Sequence, residues 1–264
     1  MKKKAYILIL LISGVILTSC FQDLGQNPPF DYPEQPTPPP IGADGQMFYL
    51  SFDEDLEDFQ SLMEAAVVGT PTFADGKSGK AYAGAANSYL TFDVANMAAP
   101  LSSSMTFTFW YKVNGTPDRA GILVIGPPHE GKPANAQNNR TAGVRIFREN
   151  AGGKQRVKAN IGNGTADSWL DGETKADLDP ATAGWVHIAL VLSPDKASFF
   201  MAGVEVAATN FTGISWNGCD IMSIGSGAPC FNEWGHLSDL SLIDEVRIYN
   251  KALPASEIER LAAQ

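Results

Sequence analysis

Hydrophobic positions recur along this chain with a period of two from residue 47 onward, and a 3.6-residue period is nearly absent before Pro254. At 47–52, Phe48, Leu50 and Phe52 share a face; at 89–93, Leu90 and Phe92 do. At 105–113, Met105, Phe107, Phe109, Tyr111 and Val113 line one side, with Thr106, Thr108, Trp110 and Lys112 opposite. Strands at 144–148 and 156–161 are expected to pair as a hairpin around Gly152-Gly153. The stretch 185–192 is apolar on both faces except at His187, which predicts a central strand. Strands at 198–201 and 204–207 flank a tight turn at Ala202-Gly203, and 222–225 and 242–249 complete the set. In the last strand Asp244, Val246 and Ile248 are expected on one pleat face, with Glu245, Arg247 and Tyr249 on the other. An acid in register with core aliphatics is costly unless something pairs with it. A short helix follows, with Pro254 in its first turn, where a missing N–H costs nothing. Many short strands separated by Gly, Pro and Asn turns predict an all-β fold, an antiparallel β-sandwich or jelly roll closed by a short C-terminal helix.

The N-terminus follows other rules. Lys2, Lys3 and Lys4 precede an apolar run from 5 to 17 that is too short to span a bilayer comfortably. Leu17-Thr18-Ser19-Cys20 resembles a bacterial lipobox, in which small residues precede a thiol that takes a diacylglycerol. Residues 1–19 then read as a lipoprotein signal peptide and Cys20 as the lipid-bearing N-terminus; an ordinary secretory leader is the alternative. Acyl chains on Cys20 would anchor the protein to a membrane, which predicts an outer-membrane lipoprotein on the cell surface or the periplasmic face. Seven of the sixteen residues at 27–42 are proline, so residues 20–45 form a semi-rigid tether. Residues 46–264 show no internal repeat and no second linker and read as one domain, for which a hydrophobic content of 44% is ample. Loss of the leader moves the formal charge from −10 to −13, a surface unsuited to nucleic acid.

Several segments carry a family resemblance. The ending Ile243-Asp244-Glu245-Val246-Arg247-Ile248-Tyr249-Asn250 runs into Ala252-Leu253-Pro254-Ala255-Ser256-Glu257-Ile258. Met105-Thr106-Phe107-Thr108-Phe109-Trp110-Tyr111-Lys112, Gly184-Trp185-Val186-His187-Ile188-Ala189-Leu190-Val191, the hairpin from Phe199 to Val204 and Asp75-Gly76-Lys77-Ser78-Gly79-Lys80-Ala81 add to it. Together they resemble laminin-G-like (concanavalin A-like) jelly-roll domains from about Phe48 to Leu261. The chain departs from that pattern at 83–87, where the family often has Phe-Asp-Gly, and at Ala202, where it usually has Asn. The resemblance implies a structural Ca²⁺ at the sandwich rim. Asp53, at the end of the first strand, and Asp244, in the last, are its candidate ligands. The alternative is that Asp244 accepts loop N–H groups and Asp53 is solvated.

Three further groups suggest chemistry. Arg140, Arg145, Arg148, Lys154, Arg156 and Lys158 crowd into nineteen positions opposed in sequence by Glu149 alone. Arg145, Phe147, Arg156 and Lys158 are expected on one hairpin face that could contact an acidic glycan, because guanidinium groups read carboxylate and sulfate in a bidentate way; a solvated hairpin balancing an acidic body is the alternative. Trp110 and Trp185 are expected in the core. Trp169, Trp216 and Trp234 lie in loop-like sequence, as platforms for sugar rings or as plugs at the core ends. Cys219 and Cys230, in an exported protein, are expected to form a disulfide, with two buried thiols as the alternative. Catalysis finds no support. The three histidines are far apart, no E-x-D-x-x-E strand is present, and the adjacent Asp244 and Glu245 point to opposite faces. The pattern points to a non-catalytic module for carbohydrate or glycoconjugate. An adhesion protein with a protein partner is the alternative, and a degenerate glycan hydrolase or lyase is the remote one.

Overall fold

The computed structural model describes residues 45–53, 55–129 and 140–264; the leader at 1–19, Cys20 and the tether as far as residue 44 lie outside the described residues. In chain order the strands are β1 (Gln46–Leu50), β2 (Glu57–Asp58), β3 (Met63–Glu64), β4 (Ala66–Val68), β5 (Thr72–Asp75), β6 (Lys80–Ala83), β7 (Tyr89–Asp93), β8 (Met105–Lys112) and β9 (Arg119–Gly126). They continue as β10 (Val144–Ala151), β11 (Lys154–Gly162), β12 (Asp167–Asp171), β13 (Asp177–Leu178), β14 (Val186–Leu192), β15 (Lys196–Met201), β16 (Val204–Asn210), β17 (Ile221–Ile224) and β18 (Leu242–Tyr249), before helix α1 (Ala255–Ala262).

Two antiparallel sheets of eight strands make the sandwich. The first runs β16-β15-β14-β8-β18-β6-β5, with β1 also paired to β18. The second runs β12-β11-β10-β9-β17-β7-β4, with β13 paired to β11. The alternating apolar positions explain the layer between them. Phe107, Phe109 and Tyr111 from β8 meet Val144 and Ile146 from β10 and Val157, Ala159 and Ile161 from β11, all fully buried. Every strand expected from the alternation is present. The alternation does not announce the short strands β2 to β6, β12 and β13, so Trp169, expected in a loop, lies on a strand; nor does it announce β9, whose Ile122-Leu123-Val124-Ile125 run is buried on both faces and shows no period.

Each sheet is also covered on its outer side. On the first, Ile258 and Leu261 of α1 pack against Ala189, Val191, Phe200 and Tyr249. Burying two such side chains contributes roughly 1.5–3 kcal/mol each. On the second, a segment at 226–240 lies across β9 and β10 and buries Cys230 and Phe231 against Val124 and Phe147. Trp110, expected in the core, sits instead on the outer face of the first sheet, opposite His187 on β14 and with Lys77 Nζ 4.4 Å from its ring centroid. Trp185 is only partly buried, at the entrance to β14.

Strand β18 departs from simple alternation. Its register against β8 shifts between Asp244 and Arg247, and Glu245 takes a left-handed φ of 54°. The bulge resets the parity, so Ile243, Val246 and Ile248 face the core, and Asp244 does not share their side. Asp244 pairs in register with Trp110 and is buried on the outer face of the first sheet.

A buried polar network joins the sheets. Arg148 of β10 donates from Nε (3.1 Å) and Nη2 (2.8 Å) to Asp239 Oδ1. The same guanidinium reaches Gln155 Oε1 and the carbonyls of Thr116 and Pro117. Asp239 Oδ2 accepts from Tyr111 Oη at 2.6 Å, and Oδ1 accepts the Ser241 hydroxyl at 2.7 Å. Arg148 and Asp239 are both fully buried, so each charge depends on the other.

Candidate functional site

The outer face of the second sheet gathers most of the chemistry. Cross-strand pairing puts Arg145 opposite Asn160, Phe147 opposite Lys158 and Glu149 opposite Arg156, while Asn160 faces Trp169 and Lys158 faces Asp171 on β12. Arg145, Phe147, Arg156, Lys158 and Trp169 therefore do share one side. They do not form a cationic surface. Arg145 is fully buried, donates to Ala142 O at 3.0 Å, and has its pKa lowered to about 10 by burial. Phe147 is fully buried beneath Phe231. Arg156 Nε meets Asp177 Oδ1 at 2.6 Å, and Lys158 Nζ lies between Glu149 (3.1 Å) and Asp171 (3.0 Å). The acidic-glycan face expected from the hairpin is corrected for this reason. Carboxylates distant in sequence fold onto the basic cluster and occupy it.

What the face presents instead is aromatic. Trp169, on β12, and Trp234, in the covering segment, are 43% and 53% exposed, with ring centroids 6.2 Å apart and planes inclined by 53°. Beneath them lies a buried aromatic floor. Phe147 meets Trp169 edge-on at 5.8 Å, Phe231 meets Trp234 at 6.3 Å, and His236 stacks on Phe231 at 4.6 Å. The Arg140 guanidinium lies 5.7 Å from the Trp169 centroid and 5.2 Å from that of Trp234. It is fixed by Asp167 Oδ2 at 3.0 Å and Glu233 Oε2 at 2.5 Å; burial works against its charge, but these bonds outweigh it and raise its pKa. Asp167 Oδ2 also accepts from Asn160 Nδ2 at 2.9 Å. His236 Nε2 is 3.2 Å from Glu149; with Lys158, and against burial, it holds that carboxyl at about 2.

Trp234 adopts φ 52° and ψ 17°, a left-handed conformation uncommon for a bulky residue. Arg119 Nη1 donates to its carbonyl at 3.1 Å. A strained backbone holding a half-exposed indole is the kind of local cost that persists at binding sites. Trp216 is separated from this pair. Its Nε1 donates to Ser102 O at 2.7 Å and its ring packs on the main core, so it is a plug and not a platform. Sequence reasoning nominated Trp169 and Trp234 but assigned no individual role to Phe231, Glu233 and His236, which are seated by the covering segment, or to Asn160 and Asp167, which are placed by the pairing of β11 with β12.

The expected disulfide is not formed. Cys219 and Cys230 are free and buried, and burial pushes both thiols up to about 12. Cys219 packs into the main core cluster and Cys230 into the cluster on the outer face.

Asp53 and Asp244 do converge on one feature, the turn at 76–80. Asp244 Oδ2 accepts the N–H groups of Lys77 (2.7 Å) and Ser78 (3.0 Å), and Asp53 Oδ1 accepts that of Lys80 (2.9 Å). Each carboxylate thus engages the amide hydrogens of this turn through one oxygen, as in the alternative in which Asp244 accepts loop N–H groups. Among the described residues, no group of three or more His, Cys, Asp or Glu side chains is placed to hold a metal ion. Asp244 Oδ1 is buried without a hydrogen-bond partner, and burial raises its pKa to about 6 despite the two amides. A folded-state pKa above the unfolded value favours folding below the unfolded pKa and loses that contribution as pH rises through about 6. Asp244→Asn keeps an oxygen for the two amides. Urea denaturation at pH 4, 5, 6 and 7 should show wild type gaining stability relative to the variant as pH falls, and parallel profiles would refute the assignment.

A family model described as the concanavalin A-like lectin/glucanases superfamily matches residues 84–259. Among solved structures, the chain is similar to domain 4 of AbnA, a GH43 extracellular arabinanase from Geobacillus stearothermophilus, in complex with arabinotriose. That match has 22% identity and a TM-score of 0.60, covering 83% of this chain and 98% of the other. It is also similar to the binding domain of botulinum neurotoxin DC, solved with SialylT (11% identity, TM-score 0.56) and with rat synaptotagmin II (12% identity, TM-score 0.55). Both of those alignments cover 83% of this chain, which spans about half (51%) of the neurotoxin chains. At such identities the likeness is one of fold. No curated protein sequence matches significantly.

Proposed function

We propose a glycan-binding, non-catalytic role for this chain, which belongs to the concanavalin A-like lectin/glucanases superfamily. The observation that carries the reading is the exposed pair Trp169 and Trp234 over a rigid buried floor. Apolar sugar faces stack on indoles, and the partly exposed Asp167 and Asp171 on either side of Trp169 offer acceptors to hydroxyl groups. A platform whose supporting residues are already packed loses little conformational freedom on binding. The solved neighbours that hold arabinotriose and SialylT support a glycan as ligand class. The carboxylates of this face are engaged by Arg140, Arg156 and Lys158 and not opposed across a cleft, which supports binding without hydrolysis.

The lipobox-like Leu17-Thr18-Ser19-Cys20 and the proline-rich tether support placement of this domain in the cell envelope through a lipid on Cys20. Metabolic labelling with a fatty-acid analogue tests the anchor, and failure to label the wild-type protein would remove it. A second reading, a protein partner, is favoured by exposed Val67, Val68 and Phe73 on the sheet-edge strands β4 and β5.

Isothermal titration against neutral arabinose, xylose and glucose oligosaccharides, starting with arabinotriose, tests the platform. Trp169→Ala and Trp234→Ala should each weaken binding by about 30-fold, the roughly 2 kcal/mol of a central aromatic anchor. Both rings are about half exposed, so melting temperatures should barely move. Affinity that survives the double substitution would place the ligand elsewhere.

A further inference from the structure

We infer that the Trp169–Trp234 platform selects single, soluble, uncharged glycan chains and discriminates against uronate- or sulfate-bearing ones. This rests on the binding role proposed above and names its ligand class. Three observations carry it.

The first is geometric. Two indole planes inclined by 53° with centroids 6.2 Å apart cannot both lie flat on one crystalline polysaccharide surface. They can follow a chain whose successive rings turn relative to one another.

The second is the state of the cations. An anionic glycan is read by guanidinium or ammonium groups with free donors. Here Arg140 is shared by Asp167 and Glu233, Lys158 by Glu149 and Asp171, and Arg156 by Asp177 at 2.6 Å and Asp171 at 3.8 Å. Arg119 donates to the Trp234 carbonyl and so helps hold the loop.

The third is exposure. The Asp167 side chain is 24% exposed against 12% for Arg140, and Asp171 is 35% exposed against 21% for Lys158. An approaching ligand therefore meets carboxylates before cations. Asp167 and Asp171 lie two residues either side of Trp169 on the same strand face, so the ring is flanked by acceptors. Sugar hydroxyls donate to such acceptors, and a second carboxylate or a sulfate is repelled by them. The net charge of −10 adds long-range repulsion in the same direction.

The test is a titration of the intact protein with paired probes at about 150 mM salt, where charges are screened beyond ~8 Å. Linear arabinan, xylan and glucan oligosaccharides are compared with oligogalacturonate, glucuronate-bearing xylan fragments and sulfated glucan, and microcrystalline cellulose is tested by pull-down. At least one neutral soluble chain should bind with an affinity that salt leaves unchanged. Its anionic counterpart should bind about tenfold or more weakly, and cellulose should not be retained. Asp171→Asn should narrow the neutral-to-anionic ratio, a change that a purely structural role for Asp171 would not produce. Tighter binding of an anionic probe that is lost in Trp234→Ala would overturn the charge inference and leave the platform standing. Binding of any probe that Trp169→Ala and Trp234→Ala do not affect, or absence of binding to all of them, would overturn the platform and the inference together.

Discussion

Asp239→Ala is expected to cost about 3–5 kcal/mol, because it strands the fully buried Arg148 guanidinium in the interior. For a chain of this size that corresponds to a fall of roughly 6–20 °C in melting temperature. The loss extends beyond one pair, since Asp239 also accepts from Tyr111 and Ser241, and Arg148 would retain only Gln155 and two carbonyls. Asp239→Asn keeps an acceptor but not the charge and should fall between wild type and alanine. Replacing both partners with apolar residues, Arg148→Met with Asp239→Leu, should recover much of the loss, because a well-packed apolar pair is often as stable as a buried ion pair. A thermal melt of the alanine variant within 2 °C of wild type, on that same scale, would show that the network contributes nothing.

Gly227→Ala is expected to damage binding and stability together. A Cβ at this position would come within 2.1 Å of both the Phe231 and the His236 carbonyl oxygens, and neither is the end of a flexible side chain. The same contact seen from the sheet is as tight, for a Cβ on Gly121 of β9 would meet Gly227 N at 2.0 Å. Two glycines thus let the covering segment lie directly on the sheet, and backbone must move if either gains a methyl group. Overpacking of this kind costs typically 1–3 kcal/mol and occasionally more. The displaced segment carries Trp234, so glycan affinity should fall at least as far as in Trp234→Ala. Near-ultraviolet circular dichroism of the tryptophans together with titration checks this; unchanged affinity would mean that the segment is seated some other way.

The layers of this fold were legible because most strands have one wet or loop-covered face and one core face, so alternation survives in the sequence. Strand β9 hid for the opposite reason, being buried on both sides. The parity of β18 was misread because a left-handed glutamate leaves no trace in composition, yet it moved Asp244 out of the layer that its neighbours fill. The basic cluster misled in a different way. Sequence proximity gathered the cations, while Asp167, Asp171, Asp177, Glu233 and Asp239 arrive only when distant segments fold onto β10 and β11. For the tryptophans, residue type nominated three rings, and tertiary packing chose two. The third found a carbonyl and a core edge instead. The cysteines joined two different packed clusters, a division that their spacing could not reveal.

Strand β1 begins at Gln46, with the Gly45 carbonyl accepting from Asn250, while the Gln264 carbonyl at the other end accepts from Lys77. Both attachment points therefore belong to the layer that α1 covers, whereas the indoles look out from the opposite layer. A fluorescent reporter or a sensor chip coupled at position 45 or 264 would sit on the layer away from the indoles, so surface-coupled and free protein should return the same dissociation constant.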